Sequence, residues 1–441
     1  MSRILILGAG TAGTIIANRL RALYADDIRG GWTTITIVDQ NDAHVYQPGL
    51  LFVPFGKSTA DQLVRPRRQQ VHPDVTYVYE RIDRVDPSEH KVHFIYGPPI
   101  GYDVLIVATG TRLVPHETEG LTGRGWQESV FDFYTLDGAT KLAQKLADWP
   151  GGHLVIDVAA MPIKCPVAPL EFAFLADSFL TSRGIRDRVE ITYVTPLDAA
   201  FTESTCAEPL EQLLAEKGIN LVTGFSAGRV DGRHGALYAT DKREIPFDLL
   251  VMVPLHRGAE FVSRSPGLGD DRGFVITDPH TLQAHVASNV FAIGDATNIP
   301  AAKAGSVAHF QAEVLTENVR RYLAIEPLKA NFDGHANCFI ETGFNKALLI
   351  DFNYDVEPLP GTFPIPALGP MQLLAESRLN HLGKLAIRWM YWNVLLRGHS
   401  IPGVGPRMSM WGKRPVGSGV TRTRWGHFAD PSARRDEALL E

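Results

Sequence analysis

Apolar residues along the chain fall into short continuous runs alternating with longer stretches of helical spacing. This is the pattern of parallel strands buried on both faces and joined by crossover helices. The first run, RILIL at 3–7, leads into a helical pattern from Thr14 to Leu23, and TITIVD then ends in Asp39. Residues 75–106 read as short strands in VTYVYERIDRV, KVHFIY and YDVLIVATG. The pattern then starts again: HLVIDV, a helix over 167–182, VEITYVT, a helix over 207–217, and INLVTG. SNVFAIGDAT supplies one more strand, followed by a helix from about Lys303 to Leu323. Near the end, Leu382, Leu385, Ala386, Trp389, Trp392 and Leu396 recur at helical spacing, with His381, Lys384 and Arg388 on another face.

Two strand-to-helix turns carry the chemistry, and they differ. After the first strand comes Gly8-Ala9-Gly10-Thr11-Ala12-Gly13, a GxGxxG in its required context of strand, turn and helix. Gly8 permits the tight turn, Gly10 lets a phosphate approach the backbone, and Gly13 lets helix and strand pack closely. Asp39, at the end of the next strand, is placed to accept hydrogen bonds from an adenosine ribose. At the corresponding place in the second half the chain reads HLVIDVAAMPIKCPVAPLEFAFL over 153–175, without a single glycine. Ala159, Ala160, Pro162, Cys165, Pro166 and Pro169 cannot bring bare backbone up to a pyrophosphate, but they can hold a thiol rigidly.

At 441 residues the chain has room for two to three domains. A net charge of −6 gives no reason to expect nucleic acid, yet the balance is uneven: Ser377 to Ala429 holds nine Lys or Arg and no acid. Basic residues beside an aromatic and apolar helix face suit a helix lying in a membrane interface, with Trp389, Tyr391, Trp392 and Trp411 at headgroup level. Three widely spaced cysteines make neither a disulfide framework nor a zinc site, and no metal is expected. Met1 runs directly into a strand, so no export signal is expected, and no apolar run is long enough to span a bilayer.

GAGTAG, Asp39, the ATG at 108–110 and the FAIGD box resemble the FAD-containing pyridine nucleotide–disulfide oxidoreductases. The resemblance implies an α/β fold of tandem Rossmann-like domains plus a C-terminal domain with amphipathic membrane-interface helices. It places a split FAD-binding domain at 1–115 and 270–330, an inserted Rossmann-like domain at 116–269, and the C-terminal domain at 331–441, whose basic amphipathic region is 370–415. FAD would be held by Gly8, Gly10, Ala12, Gly13, Asp39, Gln47, Thr109, Gly110, Gly294 and Asp295.

KCPVAPLEF is similar to the KCPPAPYEF-type segment of sulfide:quinone oxidoreductases and of the flavocytochrome c sulfide dehydrogenase flavoprotein. That likeness implies sulfide oxidation to polysulfide at a cysteine pair beside the flavin, Cys165 with Cys338, and reduction of membrane quinone by a peripheral membrane protein. Cys338 would be the flavin-side sulfur and Cys165 the one on which polysulfide grows, or the reverse. Glu171 would relay protons, and Lys303, Phe339 and Phe344 would serve the quinone. The family's third cysteine is missing: VFDFYTLDGA offers Phe133 and Tyr134 but no thiol, so the chain resembles the two-cysteine type. Cys206 reads as a surface or helix-start residue. The competing readings are a type II NAD(P)H:quinone dehydrogenase, opposed by the second turn, a sulfide dehydrogenase donating to cytochrome c, and a flavin-bearing redox sensor. A homo-oligomer stays open.

Overall fold

Ser2–Leu7 is the middle of a five-stranded parallel sheet, between Val104–Val107 and Thr33–Asp39, with Val290–Ala292 and Thr76–Tyr79 at the edges. Ile4, Leu5, Ile6 and Leu7 are all buried, which is why the sequence shows an unbroken apolar run there. The computed structural model describes residues 1–364 and 369–414. The part of the basic C-terminal stretch after residue 414 lies outside the described residues. The helix Thr11–Leu23 buries Ile15, Ile16, Ala17 and Leu20 and packs beside the long helix Gly305–Leu323.

A second five-stranded parallel sheet is centred on Gly152–Val158, flanked by Val189–Val194 and Leu249–Val253, with Ile219–Val222 and Val130–Phe131 outermost. The chain crosses between the sheets at Arg112–Leu113 and His256–Arg257, which pair antiparallel. Helix Ala168–Ser182, here the cysteine helix, is buried on nearly every side. It packs on the second sheet with one face and on strand Ala336–Gly343 with another, so its sequence is apolar almost all round.

Strands Ala336–Gly343 and Lys346–Phe352 form an antiparallel hairpin, extended by Met371–Leu373 and Gly361–Phe363. Over the hairpin lies the C-terminal helix, Arg378–Met390, started by Ser377, whose side chain accepts from the Asn380 amide at 3.0 Å. This helix is turned inside out relative to a soluble surface helix. Leu379, Leu382, Leu385 and Trp389 are exposed, at 52%, 56%, 48% and 67%, while His381 is buried and Lys384 points inward. Two of the four aromatics placed at headgroup level are not on that face: Tyr391 and Trp392 are buried, whereas Trp389 and Trp411 are exposed. The helix ends in a wider turn at Tyr391, which rotates the following residues into the core. Among the described residues no helix is long and apolar enough to cross a membrane.

Candidate active site

The first turn is shaped by close approach of backbone to backbone. A Cβ on Gly13 would stand 1.8 Å from the Gly8 carbonyl oxygen, and one on Gly8, at φ +96°, would stand 2.6 Å from the Ala108 oxygen. Gly10 and Gly110 have open space on their Cβ side, the kind of cradle a phosphate or ring needs. Asp39 accepts the Ala9 amide at 2.8 Å and pairs with Arg67, so its carboxylate also braces the turn. The hydroxyls of Thr109 and Thr111 are buried without a partner among the described residues. Gly294, at φ +70°, donates its amide to Gln311 at 2.7 Å and faces the Ala12 methyl. The helix beginning at Gly305 starts behind it. Burial pushes the Asp295 carboxyl up, against the pull of Lys303 and Lys164. Gln47 is exposed on the turn Gln47–Phe52. An open glycine cradle, two orphaned hydroxyls and two helix N-termini fit the phosphates and hydroxyls of FAD.

Two amides of the second turn are bonded within the protein. Ala159 donates to the Val253 carbonyl at 3.1 Å and Cys165 to the Lys303 carbonyl at 2.6 Å. Val158, Met161, Pro166, Tyr193 and Phe201 close the crevice at the strand ends to about the room of one water molecule. Cys165 sits at φ +51°, in the left-handed region that non-glycine residues avoid. The Tyr134 hydroxyl donates to the Cys165 carbonyl at 3.1 Å, and the Tyr134 ring meets His256 edge-on at 5.6 Å.

Cys338 lies on strand Ala336–Gly343, and like Cys165 it is a half-buried free thiol. Burial pushes the Cys338 thiol well up, and Cys165 and Glu171 push it further. Cys165 is likewise pushed up to about 12 by burial and by Glu171. Lys384 opposes both shifts. Ser306, in the first turn of the helix that follows the Gly294–Asp295 turn, donates to the Asn337 carbonyl at 2.8 Å, next to Cys338.

Glu171 is not a solvated helix carboxylate. It is 1% exposed, accepts the Glu341 amide at 2.7 Å and pairs with Lys384, whose ammonium also donates to the Phe339 carbonyl at 3.1 Å. Burial raises its carboxyl against the pull of Lys384. Glu341, fully buried, is met by His381 at 2.9 Å.

Of the quinone candidates, Lys303 is buried and turns its ammonium to the carbonyls of Asp295 and Thr297, at 3.0 and 2.7 Å, over the Phe274 ring. Burial lowers it to about 8. Phe339 and Phe344 do not form a sandwich. The Phe339 ring packs toward Gly383 of the C-terminal helix, whereas Phe344, 47% exposed at the hairpin tip, lies under Lys217. Cys206 does stand in the first turn of a helix, Ser204–Glu216, but it is 1% exposed rather than on the surface. Sequence reasoning missed Lys384, Glu341 and His381. The only signal of Lys384 and His381 was a polar stripe on a helix, and that stripe reads outward until the buried acids opposite it, Glu171 and Glu341, are known.

Residues 2–312 match the family model described as pyridine nucleotide-disulphide oxidoreductase. The chain is 26% identical over 404 residues to the mitochondrial sulfide:quinone oxidoreductase of Mus musculus, covering 90% of this chain and 86% of that protein. It is 27% identical over 421 residues to the mitochondrial sulfide:quinone oxidoreductase of Schizosaccharomyces pombe, covering 90% of each. The crystal structure of the sulfide:quinone oxidoreductase from Aquifex aeolicus shares the fold, with a TM-score of 0.75 at 21% identity over 90% of this chain and 92% of that one. With well over half its length matched, and with a cradle that fits FAD, the chain belongs to the pyridine nucleotide-disulphide oxidoreductase family of flavoprotein oxidoreductases.

Proposed function

We propose that this protein oxidises sulfide through Cys165 and Cys338 and delivers the electrons to membrane quinone. The observation that carries the reading is the second turn: side chains fill its crevice, and a thiol held at φ +51° stands where the first turn has open glycines. Hydrosulfide attacks the oxidised pair, breaking the Cys165–Cys338 bond, forming a persulfide on Cys165 and leaving the electron pair on the Cys338 thiolate. Once that electron pair has left, the persulfide and Cys338 close into a trisulfide bridge, and each further sulfide adds one sulfur for one more two-electron oxidation. FAD, when bound, would supply the two-electron acceptor beside the sulfurs and the route onward to quinone. Glu171, buried and raised, takes and gives protons beside the sulfurs. Gly8, Gly10, Ala12 and Gly13 take the pyrophosphate, Asp39 the adenosine ribose, Asp295 the ribitol, and Gln47, Thr109, Gly110 and Gly294 line the cofactor. The two sheets correspond to an FAD domain at 1–115 and 270–330 and an insert at 116–269, supported by the paired crossover strands, with a C-terminal domain from 331. The sulfide:quinone oxidoreductases that the chain matches over most of their length support the same activity.

Membrane attachment is assigned to the outward apolar face of the C-terminal helix, continued by Met410 and Trp411. Leu382→Ser with Leu385→Ser and Trp389→Ser is expected to weaken vesicle binding by about a hundredfold in a flotation assay, each residue contributing about 1 kcal/mol. Unchanged flotation would rule this face out. The activity is tested by anaerobic addition of sulfide to purified holoprotein, then of a short-chain quinone. Flavin absorbance is expected to bleach and then recover. Failure to bleach would sink the assignment.

A further inference from the structure

The charged cluster between the cysteine helix and the C-terminal helix has no place in the reading of the sequence. Lys384 reaches inward from the C-terminal helix and touches both segments that carry the redox sulfurs. Its ammonium pairs with Glu171, on the helix that follows Cys165, and donates to the carbonyl of Phe339, the residue after Cys338, at 3.1 Å. Glu171 closes the loop by accepting the amide of Glu341, on the strand of Cys338. One lysine and one glutamate therefore clamp the Cys165 element to the Cys338 strand.

We propose that Lys384 positions the two cysteines against each other and holds positive charge against the thiolate that sulfide attack releases. The proposal rests on the cysteine-pair reading above. Facing Lys384 are Glu171 from the cysteine helix, Glu341 and Cys338 from the strand, Cys165 from the turn, and His381 from its own helix. In that group Lys384 is the cation that pulls both thiols down against burial. The buried pair also explains the inside-out helix. The face that carries Lys384 must turn inward, which leaves Leu382, Leu385 and Trp389 outside.

The test reads thiol reactivity rather than turnover. Reduced holoprotein is alkylated with iodoacetamide from pH 6 to 10, and the labelling rates of Cys165 and Cys338 are measured by peptide mass spectrometry. Wild type, Lys384→Met, Lys384→Arg, Glu171→Gln and the double variant Glu171→Gln/Lys384→Met are compared. Lys384→Met is expected to slow both sites about tenfold at pH 8, the thiolate lost with about one unit of pKa. Lys384→Arg is expected to recover most of the rate. Because Glu171 itself opposes ionisation of both thiols, the double variant is read against Glu171→Gln alone, and it is expected to label about tenfold more slowly than that single variant. A double variant as fast as Glu171→Gln would show that Lys384 only neutralises Glu171 and would overturn the proposal. If Lys384→Met does not fold, the Arg and double variants decide alone. Loss of sulfide bleaching with these rates intact would count against the proposed function and not against Lys384.

Discussion

The turns after Ser2–Leu7 and Gly152–Val158 occupy equivalent places in two parallel sheets, each between a central buried strand and a helix. At the first, glycine backbones touch, Gly10 faces open space, and the acid at the end of the neighbouring strand, Asp39, braces the loop. At the second, side chains fill the crevice, the Ala159 and Cys165 amides bond to the protein itself, and a cysteine takes the strained conformation. In the proposed function one sheet end holds the nucleotide and the other mounts a thiol. The difference is one of space: Gly10 and Gly110 are open on their Cβ side at the first turn, and side chains fill the crevice at the second.

The contrast breaks most sharply at Gly13. Gly13→Ala puts a Cβ 1.8 Å from the Gly8 oxygen, a clash between backbones that no side-chain movement relieves. The variant is expected to purify without flavin, seen as loss of the visible absorbance bands. A yellow Gly13→Ala protein would show that the first turn is not the cofactor cradle.

A smaller effect sharpens the other side. Asp157, on the strand entering the second turn, is fully buried and neither carboxylate oxygen has a partner. Burial raises its carboxyl well above the usual range. An unfolded aspartate releases its proton near pH 4. From there up through the raised folded value, the folded chain keeps a proton that the unfolded chain has lost, so stability falls as pH rises. Asp157→Asn is expected to remove that slope and to add about 1–3 kcal/mol at pH 7, measured as urea midpoints at pH 5 and pH 8. An unchanged slope would mean that the carboxyl finds a partner.

The strands, the helices and the first turn were legible because each is local: an apolar run, a helical spacing, glycines at fixed intervals. The helix starts at 168, 204 and 305 fall close to where periodicity puts them. Cys165 and Cys338 were reached by resemblance, since nothing local marks a thiol on a strand as reactive. The C-terminal helix was legible as a helix but its inner face was not. Lys384 and His381 look solvated from the sequence, and only the burial of Glu171 and Glu341 opposite them explains why the polar side faces in. Tyr391 and Trp392 fit the apolar stripe, yet the wider turn at 391–395 takes them into the core, where the Tyr391 hydroxyl meets Thr11 at 2.7 Å and His44 at 2.6 Å. Phe339 and Phe344 are close in sequence but are separated by the hairpin tip.

The most direct measurement is anaerobic stopped-flow mixing of the holoprotein with sulfide and, separately, with NADH, following flavin absorbance in the wild type and in Cys165→Ser and Cys338→Ser. Rapid bleaching by sulfide, none by NADH, and loss of the sulfide phase in either serine variant is the expected result, with the double variant no worse than the singles because the two sulfurs act as one unit. Rapid bleaching by NADH, or a sulfide phase that survives both substitutions, would contradict the view that the second turn exchanged a nucleotide for a thiol.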